Sequence, residues 1–234
     1  ATDVVDAGRL TVSYDLQRDL RLEFDQVRQA TTGAQYSFDL LTHGVDVVFS
    51  HRTLPLWTGA RLNGEAGVHA DVQRHQFTGL LLVPGYERRS GGVFAMERLP
   101  LDDVVLGDLD VEACARLDGL QQTAVLGPQA HASLIRRGQV DVDACDVAKD
   151  AVRCDTAYRA ATGTVGARWT IDLPTLPKAL RLGVDLSSAT RFPDVDELYL
   201  GGRAPSLPVF GLGDARLGPE TTRQATLSTS LALS

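Results

Sequence analysis

The sequence predicts an all-β chain, a segment of an antiparallel up-and-down β-barrel that crosses a membrane with its strands. Three observations carry that expectation. Apolar residues recur with period two along most of the 234 residues. The alternating stretches are long. Short turns and long connections alternate, so the short ones share one end of the sheet and the long ones the other.

Nine long strands are predicted, at residues 9–16, 19–29, 34–51, 58–73, 89–99, 106–119, 158–173, 178–190 and 221–234. Leu10, Val12, Tyr14 and Leu16, then Leu20, Leu22 and Phe24, give the first two strands their apolar face, with a turn at residues 17–18 between them. In the third strand the apolar phase moves from even to odd between Tyr36 and Phe49, which predicts a bulge near residues 43–44. In the fourth, Leu62, Ala66, Val68, Ala70 and Val72 oppose Arg61, Asn63, Glu65, His69 and Asp71. Leu109, Val111, Ala113, Ala115 and Leu117 oppose Asp108, Asp110, Glu112, Cys114 and Arg116 in the sixth. Val165, Ala167, Trp169 and Ile171 mark the seventh, Leu180, Leu182, Val184 and Leu186 the eighth, and Ala225, Leu227, Leu231 and Leu233 the last. No amphipathic helix is predicted beyond a short helical turn within residues 141–152.

The connections at residues 17–18, 52–57, 100–105 and 174–177 are short. Those at 30–33, 74–88, 120–156 and 191–220 are longer. Strand length separates this pattern from a soluble sandwich, whose strands run to about five or six residues. A strand of about 13 residues extends roughly 43 Å and, tilted by about 40°, still covers the roughly 25 Å apolar band of a membrane barrel. In that arrangement the apolar face meets lipid, and Arg168, Asp172, Arg181, Asp185, Glu112 and Arg116 point into the lumen.

Composition narrows function. With 23 Lys+Arg against 30 Asp+Glu the formal net charge is −7, a poor match for a phosphate backbone, so no nucleic-acid partner is expected. Only Lys149 and Lys178 are lysines; the other 21 basic residues are arginines. No apolar run is long enough for a membrane-spanning helix, which leaves a β-barrel open. No Gly-x-Ser-x-Gly elbow, phosphate loop or His-Glu-x-x-His is present, so neither catalysis nor a cofactor is expected.

The most specific stretch is 189–220. It reads Arg191-Phe192-Pro193, then Asp196-Glu197-Leu198-Tyr199, then Gly213-Asp214-Ala215-Arg216-Leu217-Gly218-Pro219-Glu220. This resembles the TonB-dependent receptors of Gram-negative outer membranes, which carry Arg-x-Pro-x-x-x-Glu-Leu-Tyr/Phe, a loop, and Gly-Asn/Asp-x-x-Leu-x-Pro-Glu entering the next strand. Ser90-Gly91-Gly92-Val93-Phe94-Ala95-Met96-Glu97 and Ala115-Arg116-Leu117-Asp118 are similar to family strands as well. The motif residues Arg191, Pro193, Glu197, Leu198, Tyr199, Gly213, Asp214, Leu217, Pro219 and Glu220 are read as structural. Pro193 ends a strand, Arg191 and Glu197 form a charged pair at the barrel rim, and Gly218-Pro219 turns the chain into its last strand.

The resemblance implies uptake of a scarce, bulky nutrient, most readily a ferric siderophore or other metal chelate, driven by TonB acting on a plug inside the barrel. It implies a Gram-negative outer-membrane location, with membrane lipid and lipopolysaccharide around the barrel. Residues 1–234 contain neither a recognisable plug nor a TonB-binding segment, so the chain is expected to be a partial barrel supplying lumen wall and extracellular loops. A passive porin-like channel and a soluble β-sheet protein of carbohydrate-binding type remain as alternatives.

Arg88, Arg89, Arg203 and His75 are the candidate ligand contacts, because arginine grips carboxylates in a fork and His75 borders a long connection. Cys145 and Cys154 are expected to form a disulfide, and Cys114 to be a lone thiol. His43, His51, His69, His75 and His131 lack metal-ligand spacing. Asp141, Asp143, Asp146 and Asp150 read as a solvated acidic loop, lacking the glycine and terminal glutamate of a calcium loop.

Overall fold

A computed structural model of the chain describes residues 5–25, 30–79, 84–104, 107–141, 145–148, 151–172, 179–203 and 210–231. The elements are β1 (Val5–Asp25), β2 (Ala30–His51), β3 (Leu54–Trp57), β4 (Ala60–Gly79), β5 (Gly85–Leu101), β6 (Gly107–Leu126), α1 (Pro128–Arg136), β7 (Asp146–Val147), β8 (Val152–Asp172), β9 (Ala179–Arg191), α2 (Val195–Tyr199), β10 (Gly201–Arg203), β11 (Phe210–Leu212) and β12 (Glu220–Leu231). Among the described residues one antiparallel sheet runs in the order β1-β2-β4-β5-β6-β8-β9-β12, each strand beside its neighbour in sequence. The two-residue β7 and the four-residue β3 hang off this path, and β10-β11 form a separate ribbon.

Register turns the sequence pattern into faces. Leu10 pairs with Val47, Val47 with Val68, Val68 with Val93, Val93 with Leu117, and Leu117 with Ala161. Farther along, Val111, Ala167, Val184 and Leu227 form another such row. All these side chains share one face, here the outer face. A one-residue slip at any pairing would move a strand's whole apolar set to the other side. The belt has no protein against it: Val12 is 71% exposed, Leu117 60% and Leu227 84%. An apolar surface spread over eight strands is far beyond what a water-soluble monomer leaves open. The inner face carries Asp110, Glu112, Arg116, Arg168, Arg181 and Asp185, the polar set the sequence placed inward; the Asp172 side chain lies outside the described residues.

Strands of 20 or more residues outrun the belt. About 20 residues at roughly 3.3 Å each, tilted about 40°, rise roughly 50 Å, twice the apolar band. Their surplus stands beyond the belt at the long-loop end, and there the apolar residues change face. Leu120, Ala124 and Leu126 of β6 are inner-face residues and buried, Ala124 and Leu126 in one core with Leu134, Val140, Val195, Leu198 and Tyr199 of the connections at 127–151 and 192–219.

That change of face corrects two expectations. No bulge occurs at 43–44, since β2 pairs with β4 in unbroken register from Tyr36–Gly79 to Ser50–Glu65. The apolar phase shifts because Phe38 and Leu40 lie inward beyond the belt, while Val45, Val47 and Phe49 lie outward within it. Nor does the chain turn at 17–18: residues 9–16 and 19–29 belong to one strand up to Asp25, with Gln17 opposite Leu40 and Arg18 opposite Asp39. Leu16, Leu20 and Leu22 keep the same even phase, as an uninterrupted strand requires.

The helical expectation is corrected too. Residues 141–152 hold β7 and the start of β8, and α1 lies upstream. Pro128 opens that helix, where its missing N–H costs nothing. Gly138, at φ 68°, closes it in the left-handed conformation and donates its N–H to the Ile135 carbonyl. Strands β6 and β8 also reach farther than expected, which shortens the long connection and puts Cys154 on β8.

Candidate functional site

The inner face at the long-loop end forms a mouth, built by two connections folded onto β6 and β8. Leu134 and Val140 from the first, and Val195, Leu198 and Tyr199 from the second, pack on Ala124, Leu126, Val152 and Cys154. This is the buried core among the described residues, and it sits on the rim instead of in the belt. Cys145 and Cys154 are joined, with an S–S distance of 2.07 Å, tying the first connection to the wall. Cys114 is unbridged and half-buried on the inner face.

The stretch 191–220 works as a latch. Beyond Arg191, β9 gives way to the extended Phe192-Pro193, and the Pro193 carbonyl accepts a 3.4 Å hydrogen bond from the buried Gln122. The Arg191 guanidinium grips both Glu197 oxygens at 2.7 and 3.0 Å and reaches Glu220 on β12 at 3.1 Å. Glu197 also accepts the Asp194 N–H at 2.9 Å, fixing the first turn of α2. These donors hold the Glu197 carboxyl below its ordinary range, the Arg191 hydrogen bonds contributing most.

The second half of the motif closes on the first. The Gly213 N–H donates to the Leu200 carbonyl at 2.7 Å and the Asp214 N–H to the Glu197 carbonyl at 2.8 Å. Gly213 lies so close to α2 that a Cβ there would strike the Leu198 carbonyl carbon. Asp214 binds its own neighbour Arg216, which keeps the aspartate ionised below the usual range. Leu217 offers its carbonyl to the Tyr158 hydroxyl at 3.1 Å, and Pro219 precedes β12. Burial pushes Tyr199 up to about 12.

The four candidate ligand contacts fall in different places. His75 points inward, with its ring 4.9 Å from Tyr86 and 5.6 Å from Phe38. Arg88 is inward too and pairs with Asp194 at 3.1 Å, linking β5 to the α2 connection. Arg89 faces the opposite way, because successive strand residues alternate, and pairs with Glu87 on the outer face. It is not part of the mouth. Arg203 has its backbone in β10, and its side chain lies outside the described residues. Tyr86 and Phe38 escaped the sequence reading; their signal was the even-phase apolar residue beyond the belt.

Below the mouth the inner wall is a ladder of paired charges. Arg98 meets Asp110 across β5 and β6. Arg116 binds Asp118 through Nε at 2.8 Å and lies 2.9 Å from His69, which is itself 3.7 Å from Asp118. A hollow of about 520 Å³ is lined by Arg98, Asp110, Arg168 and Arg181 among others. The arrangement offers stacking, imidazole and exchangeable ion pairs, which is the chemistry of recognising a polar solute. His43 and His51 face outward, and His131 is buried in α1. Among the described residues no three His, Cys, Asp or Glu are arranged to hold a metal ion. Of the acidic loop, Asp141 and Asp146 are exposed, and Asp143 and Asp150 lie outside the described residues.

Residues 3–233 match the family model described as "TonB dependent receptor-like, beta-barrel". No curated protein matches the sequence. Among the solved structures it is similar to is one titled "Copper transporter OprC", with a TM-score of 0.54 and 16% identity. That likeness covers 97% of this chain and 33% of the OprC chain, so the chain spans about a third of its length. At this identity the resemblance to OprC is one of fold.

Proposed function

Since the chain belongs to the TonB-dependent receptor family, matched through its β-barrel, we propose that it is part of an outer-membrane transporter that takes up a scarce, bulky nutrient. The cargo is a metal chelate, most readily a ferric siderophore. Members of this family are outer-membrane proteins of Gram-negative bacteria. TonB and a plug domain are the partners the reading requires, and residues 1–234 supply lumen wall and extracellular loops. No bond is made or broken, so no residue has a catalytic role. The copper in the name of OprC belongs to that protein and does not choose the metal here.

One observation carries the reading. A single continuous sheet exposes an apolar belt on one face and a ladder of charges on the other, with loops folded over the charged face at one end. Lipid outside and a wet lumen inside are the surroundings that satisfy both faces. On this reading His75, Tyr86 and Arg88 meet solute in the mouth, a reading supported by their shared inner face at the long-loop end.

The test is uptake by the source cells, with and without TonB, of ferric hydroxamate, catecholate and citrate chelates and of cupric ion. TonB-dependent accumulation of one of them, lost on deletion of the gene, supports the proposal. Leakage of small solutes without TonB would make the protein a passive channel. A water-soluble product near 25.2 kDa would make it a soluble binding protein.

A further inference from the structure

We infer that Asp194 is an internal stand-in for a ligand carboxylate at Arg88. It holds the guanidinium until a carboxylate-bearing cargo takes Arg88 from it, and the exchange lifts the start of the 192–219 connection off the wall. The inference rests on the transporter reading above and narrows its cargo to an anionic chelate.

Arg88 on β5 stands directly opposite Gln122 on β6, both on the inner face. The connection meets this pair at two points. The Asp194 carboxylate touches Arg88 at Nη1, at 3.1 Å. The Pro193 carbonyl accepts a long hydrogen bond from Gln122, at 3.4 Å. This seat leaves both wall residues short of partners. Arg88 Nε and Gln122 Oε1 are buried and have no hydrogen-bond partner among the described residues. Gln122 as a whole is 1% exposed. Buried polar groups are bonded as a rule, and one left unbonded weakens the arrangement that buries it. The seat is therefore weak on its wall side. The bonds from Arg191, Gly213 and Asp214 hold α2 at Glu197 and Leu200 and do not pass through Arg88.

The chemistry favours exchange. The Asp194 side chain is 62% exposed and that of Arg88 28%, and an ion pair this open is weakly held. Arginine grips a carboxylate best in a two-pronged fork, whereas Asp194 meets it through one nitrogen. A free carboxylate can take the fork, and a hydroxyl beside it gives Gln122 Oε1 the donor it lacks. Charge then couples the two events. Asp194, Asp196 and Glu197 all stand at the head of α2, and Glu197 is already held by Arg191. A second carboxylate at Arg88 faces Asp194 at close range, and like charges repel. An anionic cargo therefore displaces the segment, and a neutral one has no means to.

The test follows amide hydrogen exchange of the intact receptor in non-ionic detergent, in peptides covering 192–200 and, as a control, 107–119. The probes are ferric citrate, rich in carboxylates, and a neutral ferric trihydroxamate. Ferric citrate should speed exchange across 192–200 and leave 107–119 unchanged, and the neutral chelate should change neither. Asp194→Asn should bind ferric citrate about 10-fold more tightly than wild type, the scale of one charge-assisted hydrogen bond. On an Arg88→Gln background the same change should gain nothing, a dependence that a merely looser connection would not show. Failure of ferric citrate to bind, slower exchange across 192–200 in its presence, an equal response to the neutral chelate, or an Asp194→Asn affinity no tighter than wild type would each overturn the inference. Outer-membrane fractionation and TonB-dependent uptake by the source cells are read in parallel. Uptake of the neutral chelate alone keeps the transporter reading and defeats this inference. Uptake of neither chelate, with the protein found outside the outer membrane, defeats the transporter reading itself.

Discussion

Glu197 is where the rim converges. Its carboxylate takes two hydrogen bonds from Arg191 and one from the Asp194 N–H, and its carbonyl takes the Asp214 N–H. A carboxyl held below its ordinary range contributes stability that is present above that range and is lost as pH falls through the lowered value. The connection at 192–219 should therefore loosen on acidification below the ordinary carboxylate range. Amide exchange at Asp194 and Asp214 checks this, and Glu197→Gln should flatten the pH profile. Removing the cap with Glu197→Ala should cost the connection about 1 kcal/mol. Gly213 makes a second prediction at this scale. Gly213→Ala puts a methyl group into the α2 backbone, so it should free the connection to protease while leaving strand protection intact.

Among elements, the two mouth connections share a core and should loosen together. Leu198 is fully buried against residues of the other connection and of β6 and β8, so Leu198→Ala should cost about 2–5 kcal/mol of local stability. Reducing the Cys145–Cys154 bridge, or replacing both by serine, should cost about 2.5–3 kcal/mol by loop entropy. Limited proteolysis should then cut within 127–151 and 192–219 before it cuts any strand. Prior cleavage within β6 or β8 would refute a separate rim core. The strands are held otherwise, by unbroken ladders of 20 pairs between β6 and β8 and 17 between β5 and β6.

For the whole molecule, stability depends on what meets the belt. Val93 is 49% exposed in the middle of the row running from Leu10 to Ala161. Val93→Arg should destabilise the folded barrel in a bilayer by about 2–4 kcal/mol. An arginine in place of Thr164, on the inner face, should be tolerated, because it meets water. Folding into phospholipid vesicles, followed by resistance to heat in gel electrophoresis, compares the two. Equal losses would remove the assignment of faces.

Much of this protein is legible as one-dimensional pattern. Period two assigns each strand residue to a face, and the long connections at 127–151 and 192–219 mark one end of the sheet, so belt, polar wall and strand order follow from local chemistry. The connections expected to be long at 30–33 and 74–88 are instead spans of four and five residues, between β1 and β2 and between β4 and β5. The family pattern around Arg191 and Glu220 is legible for the same reason: its spacing is set by bonds between nearby residues. What required the folded structure is everything at the mouth. Ala124 and Leu126 look out of phase until the connections at 127–151 and 192–219 are seen lying on them, and Phe38 looks like a bulge until its neighbour is His75. Alternation states that two faces differ; it does not state what covers each. Lipid covers the apolar face in the belt and protein covers it at the rim, so the same strand reverses its pattern without bending. Arg88 and Arg89 divide on the same principle, since adjacent residues of like chemistry part company once pairing decides which side of the sheet each one sees.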